Sequence, residues 1–217
     1  MRSSWRSSVI IALASAIIAG SSAETSAHRR DEYLQAARLA LDPERTHIEL
    51  DLTAGIAVAE VVLADIDRDR TGTISSDEAD NYAAVVRTAI RLEVDGTPLS
   101  VELINSRFPT VDAVRQGEGA IRLDLAAAMP PLAAGPHHLR YRNSHRADIG
   151  AYLANVLVPA SNRVAISAQR RDVDQRELIV DYVLDADRST SARAWFLASF
   201  IGVALAVATL WRRSRLT

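Results

Sequence analysis

The chain has 217 residues, with 25 cationic and 27 acidic side chains and a net charge of −2. That balance lacks the basic surplus of a nucleic-acid binder and points to no strongly anionic partner, while a 48% hydrophobic composition can build a real core. There is no Cys and no Lys, every one of the 25 cations being Arg, which excludes disulfides, thiolate zinc sites, thiol chemistry and lysine Schiff bases.

The chain opens with the pattern of an export signal. Arg2 and Arg6 precede an apolar run over residues 8–20, and the small residues Ser21 to Ala23 and Thr25 to Ala27 offer two cleavage sites. Residues 1–27 read as a signal peptide, with an uncleaved anchor as the alternative. Residues 31–42 and 45–53 read as a hairpin of two strands. The second alternates cleanly, His47, Glu49 and Asp51 against Ile48, Leu50 and Leu52. The first is rich in Ala and Leu and could equally be helical; the hairpin favours a strand. Thr53 is placed to cap a helix over residues 54–66, whose stripe is Ile56, Ala59, Leu63 and Ile66. Ser75 starts a second helix that runs to about residue 90, with Ala79, Tyr82, Ala83, Val86 and Ile90 on its apolar face. Ile56, Leu63, Tyr82 and Val86 are expected to pack this pair onto the sheets.

Between the two helices, residues 67–78 read DRDRTGTISSDE. Counted from Asp67, oxygen-bearing side chains fall at the first, third, fifth, ninth and twelfth places, with Gly72 at the sixth. This stretch resembles the loop of the EF-hand calcium-binding family, and the flanking helices extend the resemblance. The resemblance implies a Ca2+ site made by the side chains of Asp67, Asp69 and Thr71, the Thr73 carbonyl, Ser75 (often through water) and a bidentate Glu78. Gly72 would allow the sharp turn, having no Cβ to forbid positive φ. Ile74 would point away from the ion to the core. Thr71 stands where the family usually has Asp or Asn, so it brings an oxygen without a charge. Arg68 and Arg70 lower the local negative potential further. Loops of the dockerin kind begin similarly, but Glu78 and the incoming helix fit an EF-hand better. Ser75 and Glu78 alone also make a capping box. That explanation leaves Asp67, Asp69, Gly72 and Ile74 without a reason for their spacing.

Strands follow. Residues 91–94 and 98–104 flank Asp95 and Gly96, a hairpin turn signal. Further strands are expected over residues 119–125, 137–143, 152–159, 163–169 and 177–184, the last two joined by a polar turn over 170–176. Eight or nine short strands with turns every 8–15 residues predict a mainly β fold, an antiparallel immunoglobulin-like β-sandwich with the helix–loop–helix inserted at 54–90. Residues 28–187 form this domain, and no internal repeat stands out. Residues 194–211 carry no charge and as a helix would rise ~27 Å, close to the ~30 Å of a hydrocarbon core. Trp195 and Trp211 lie near its ends, and Arg212, Arg213 and Arg215 follow. A transmembrane helix with residues 212–217 in the cytoplasm and residues 28–187 outside is the reading; a buried core helix is the alternative.

Other candidates weigh less. His28, if cleavage follows Ala27, could chelate copper as an N-terminal residue, but an ordinary surface His is the favoured explanation. His137 and His138 are consecutive on a strand and would face opposite sides. His47 and His145 stand alone. Arg140, Arg142 and Arg146 read as a polar sheet face, and Asp172, Asp174 and Glu177 as a solvated turn. No nucleophile elbow, zinc-protease helix or phosphate loop occurs, so no enzyme activity is expected. The expected function is calcium binding outside the cytoplasm by a single-pass membrane protein, the ion being structural. The alternative is a structural or interaction module for an envelope protein, carrying a degenerate EF-hand. In outline the arrangement is also similar to extracytoplasmic segments of some metal-transport proteins, a likeness of fold only.

Overall fold

The computed structural model describes residues 31–185. The expected signal peptide, His28, the span at 194–211 and the tail at 212–217 lie outside the described residues. In chain order the elements are β1 (Tyr33–Leu41), β2 (Arg45–Ala54), α1 (Ala59–Ile66), α2 (Ser76–Ala89), β3 (Ile90–Val94), β4 (Thr97–Pro98), β5 (Val101–Arg107), α3 (Val111–Arg115), β6 (Ile121–Ala128), β7 (Gly135–Asn143), β8 (Gly150–Val156), β9 (Val164–Arg171) and β10 (Glu177–Leu184).

The strands form two five-stranded sheets, ordered β5-β6-β2-β1-β8 and β4-β3-β7-β10-β9. Their inner faces share one core. Period-two alternation supplies it: Leu39, Leu41, Ile48, Leu50, Leu123 and Leu125 from the first sheet meet Leu92, Leu139, Leu178 and Val180 from the second. The mainly β, two-sheet sandwich is therefore as expected. One pairing departs from the antiparallel expectation, because β1 runs parallel to β8, from Tyr33 beside Gly150 to Leu39 beside Val156. β1 is paired along both edges, to β2 and β8, which settles its Ala-rich sequence as strand. Sheet pairing here overrides helix propensity, a weak prior.

Three local expectations are corrected. First, α1 begins at Ala59 rather than residue 54. Thr53 and Ala54 stay in β2, opposite Leu34 and Tyr33, so Thr53 caps nothing. Val58 occupies the cap position without a side-chain bond. The turn before α1 carries Ile56 off the helical stripe and leaves it 52% exposed. Ala59, Val62, Leu63 and Ile66 of α1, and Tyr82, Ala83 and Val86 of α2, do reach the core. Second, residues 98–104 do not fold back as one strand along β3. Asp95 and Gly96 take φ values of 50° and 80°, as a tight hairpin requires, but β4 has only two residues. Pro98 has no N–H to extend the ladder, and the chain crosses to the other sheet as β5, beside β6. Third, α3 is an unexpected short helix, capped by the Thr110 side chain accepting from the Ala113 amide.

His137 and His138 face opposite sides of β7, the first buried and the second exposed. His137 has an acceptor at each ring nitrogen: Asp95 Oδ2 is 2.7 Å from Nδ1 and the Ala133 carbonyl 2.7 Å from Nε2. Only the doubly protonated imidazole donates to both. Asp95 also accepts from the His138 amide, so this ion pair fastens the β3–β4 turn to β7. Burial opposes the charge on His137, but the Ala133 carbonyl and Asp95 outweigh it and raise its pKa. Asp95 is likewise opposed by burial and is held below its usual range by His137 and the His138 amide. Tyr182 packs beside the ring, with centroids 5.7 Å apart, and burial pushes its hydroxyl up to about 12, so it stays neutral.

Two outcomes follow from this packing. Leu63→Ala should cost ~2–5 kcal/mol in denaturant unfolding, since Leu63 is buried in the shared core; a loss under ~0.5 kcal/mol would place α1 outside the cooperative unit. The raised pKa of His137 means its contribution to stability is complete below about pH 6.5 and is lost as pH rises through its folded value. Unfolding free energy measured from pH 6 to pH 9 should therefore fall, and His137→Gln should flatten that slope; an identical slope in both proteins would exclude the clamp.

Candidate metal centre

The loop starts where α1 ends. The Asp67 amide closes the helix on the Leu63 carbonyl at 2.8 Å. Its carboxylate then turns into the loop, Oδ1 accepting from the Thr71 amide at 3.0 Å and Oδ2 from the Gly72 amide at 2.9 Å. Asp69 Oδ1 accepts from the same Thr71 amide at 3.1 Å. Arg70 and Gly72 both take the left-handed backbone, with φ of 56° and 79°. Gly72 does so at no steric cost. The Thr71 hydroxyl donates to the Thr73 carbonyl at 3.2 Å, bringing two of the expected oxygen donors side by side.

Ser75 caps α2 in a complete capping box. Its hydroxyl oxygen accepts from the Glu78 amide, while Glu78 Oε2 accepts from the Ser75 amide at 3.0 Å and the Ser75 hydroxyl at 2.8 Å. Glu78 Oε1 reaches back across the loop to the Arg68 amide at 2.8 Å and the Asp69 amide at 3.4 Å. Glu78 thus ties the end of α1 to the start of α2. The Ser75 amide and hydroxyl, with the amides of Asp69 and Arg68, hold its carboxyl below the usual carboxylate range.

One carboxylate oxygen each from Asp67, Asp69 and Glu78 lies within 4.8 Å of the others. Oxygens bound to one calcium at ~2.3–2.6 Å can stand up to ~5 Å apart, so this spacing is one that calcium can bridge. The donors are all hard oxygens, with no His or Cys, which suits calcium rather than zinc. Among the described residues no Arg forms an ion pair with these three carboxylates, although Arg68 and Arg70 are their chain neighbours. Ile74 is partly buried against the core, as its place in the loop implies.

The sequence reading missed the polar network that seats α2. The Tyr82 hydroxyl lies 2.7 Å from the Tyr33 hydroxyl and 3.1 Å from His145 Nε2. Burial, then the charge on Arg146, lowers the pKa of His145 to about 4, so its ring is neutral and Nε2 can accept from Tyr82. Gln35 donates to the His145 carbonyl at 2.7 Å and accepts from Asn143 at 2.8 Å. The Tyr152 hydroxyl also donates to that carbonyl, at 2.7 Å. Gly150 packs so closely here that a Cβ would meet Gln35 Nε2 and the Arg146 carbonyl at 2.8 Å each. A signal was present: Gln35 and Asn143 fall in the apolar phase of β1 and β7. Over this network lies a cleft of about 200 Å³ bounded by Ile66, Arg68, Glu78, Tyr82, Val85 and His145.

The remaining candidates separate. Arg140 and Arg142 lie on the outer face of β7, but Arg146 is in the turn beyond it, at φ 47°. It pairs with Asp65 near the end of α1 and through two bonds of 3.0 and 2.9 Å with Asp148. A cation there offsets an acid placed at the negative end of a helix. Asp172 accepts from the Glu177 amide and Asp174 pairs with Arg176, which uses up the acidic turn locally. No protein-family model, no curated protein and no solved structure matches the chain.

Proposed function

We propose that this is a membrane-anchored calcium-binding protein whose domain stands outside the cytoplasm, with residues 67–78 acting as its one EF-hand. The observation that carries the reading is the meeting of Asp67, Asp69 and Glu78 oxygens within 4.8 Å of one another, at the first, third and twelfth places of the loop. Like charges held this close repel unless a cation joins them. Asp67, Asp69, Glu78, the Thr71 hydroxyl and the Thr73 carbonyl would hold the ion, with Ser75 beside them. Calcium would supply a positive charge shared by the three carboxylates, with which neither Arg68 nor Arg70 forms an ion pair. The chain's own residues do the rest: Asp67 is aimed by the Thr71 and Gly72 amides, and Glu78 links the loop to α2. Tyr82, one turn further along α2, joins that helix to the sandwich through His145 and Tyr33.

Thr71 adds no charge, so the three carboxylates set the strength. We read the site as structural and weak, with a dissociation constant of ~10⁻⁴–10⁻³ M, the range of extracellular calcium modules. The sandwich itself we read as immunoglobulin-like, on its short, regularly spaced strands. The membrane part rests on sequence. Among the described residues no helix is long and apolar enough to cross a membrane, and the charge-free run at 194–211 with its following Arg cluster lies outside them.

A second reading has its own support. Both Glu78 oxygens are already met by amides and the Ser75 hydroxyl, so the loop closes without an ion. On that reading the hand is a degenerate brace, and the sandwich is an interaction module for an envelope protein, accessory to metal transport.

Calorimetric titration of the full chain with calcium separates the two. Saturable binding is expected, tightened by Thr71→Asp and weakened about tenfold or more by Glu78→Gln, a ~1.4 kcal/mol effect or larger. Gln still serves in a capping box, so the helix start survives that change. At ~100 times the dissociation constant, calcium should stabilise the fold by ~2.7 kcal/mol. Equal affinity in all three proteins would place the site elsewhere, and no response in any of them would leave the brace. Topology has its own measurement: protease added to intact spheroplasts should digest residues 28–187, and protection of that region would refute the proposed orientation.

A further inference from the structure

We propose that Arg91 and Arg142, on the outer face of the second sheet, form a binding site for a carboxylate of an acidic peptide segment on a partner protein. The inference is independent of the calcium reading.

Strand register places the two residues directly opposite each other on β3 and β7. Side chains so placed stand ~5 Å apart at Cβ, and like charges in that position destabilise the sheet. Among the described residues neither Arg forms an ion pair with the neighbouring acids. Glu93 and Glu177 both turn to Arg140, at 4.0 and 3.8 Å, distances of loose ion pairs without a hydrogen bond. Glu177 is opposite Arg142 in register yet makes no ion pair with it. Elsewhere on this face Arg170 pairs with Asp181, which also lies 2.6 Å from His138 Nδ1. Around Arg91 and Arg142 the sheet therefore holds three Arg against two Glu, and the two Arg that stand opposite each other in register have no ion pair among the described residues.

The same five side chains enclose a depression of about 80 Å³. That is room for a carboxylate or two to three waters at ~30 Å³ each, far below the ~300–1,000 Å³ of a small-molecule pocket. Guanidinium forks bind carboxylates through paired, charge-assisted hydrogen bonds. Two forks from adjacent strands would hold one carboxylate and remove their own repulsion. A phosphate fits less well, since its second negative charge would face the partly buried carboxylates of Glu93 and Glu177. Arg is also the charged residue that protein interfaces favour.

The test uses the full chain in the absence of divalent cations, titrated with a blocked hexaglutamate peptide and, separately, with inorganic phosphate. Saturable peptide binding is expected at ~20 mM salt and should weaken at ~200 mM. Arg91→Gln and Arg142→Gln should each reduce it about tenfold or more, while Arg170→Gln leaves it unchanged. Without peptide, Arg91→Gln should melt at the wild-type temperature or higher, because a like-charge contact is removed. No saturable peptide binding, equal binding by the variants, or phosphate binding as tightly as peptide would each overturn the proposal. So would a lower melting temperature for Arg91→Gln, which would make Arg91 a structural residue.

Discussion

The buried polar network around His145 is the constraint on which the geometry of the loop depends. Tyr33, Gln35, Asn143, His145 and Tyr82 are all buried, and each loses its hydrogen bonds to water. Such groups must find partners inside the protein, or each costs about 1–3 kcal/mol. Here the partners come from β1, β7, the turn after β7, and α2. Satisfying them fixes those four pieces relative to one another. A helix held only by apolar contacts could slide by part of a turn, but the Tyr82 hydroxyl has one place to go. Since Glu78 lies one turn before Tyr82, the network sets where the loop closes.

The loop is framed from both sides. Asp67 ends α1 through the Leu63 carbonyl and Ser75 begins α2 through its capping box. Arg146 adds a second tie by pairing with Asp65 near the end of α1. The acids of the loop spend their acceptors on backbone amides, which orders a short exposed segment that has little apolar burial of its own. The same bonds bring oxygens of three carboxylates within 4.8 Å of one another, so local ordering and the acidic cluster arise from the same contacts. The capping role of Glu78 and its proposed calcium role would draw on the same two oxygens.

The sandwich handles its sheet edges with side chains. β8 is an edge strand of the first sheet, and its open groups are met from β9 of the other: Gln169 accepts from the Val156 amide at 3.3 Å, and Arg171 donates to the Ala154 carbonyl at 2.8 Å. At the opposite edge β5 carries an irregularity between Leu103 and Asn105 that breaks the regular ladder. Both devices make an edge a poor template for a further strand. The outer face of the second sheet is different. There Arg170 has Asp181 as its partner, while Arg91 and Arg142 stand opposite each other in register without an ion pair among the described residues.

Much of this was legible in the residues themselves. Alternation in β2, β6, β7 and β10 marks their inner faces, because a strand sends successive side chains to opposite sides whatever its partner. Asp67, Asp69, Gly72, Ser75 and Glu78 mark a loop and a helix start, because turns and caps depend on near neighbours in the chain. What spans distant parts of the chain was not legible. Nothing local says that β1 lies parallel to β8, that β5 crosses to the other sheet after Pro98, or that His145 meets Tyr82 and Tyr33. Those outcomes were decided by packing. Buried donors had to meet buried acceptors from far along the chain, and that pairing exists only once both sheets and α2 have closed over the same core.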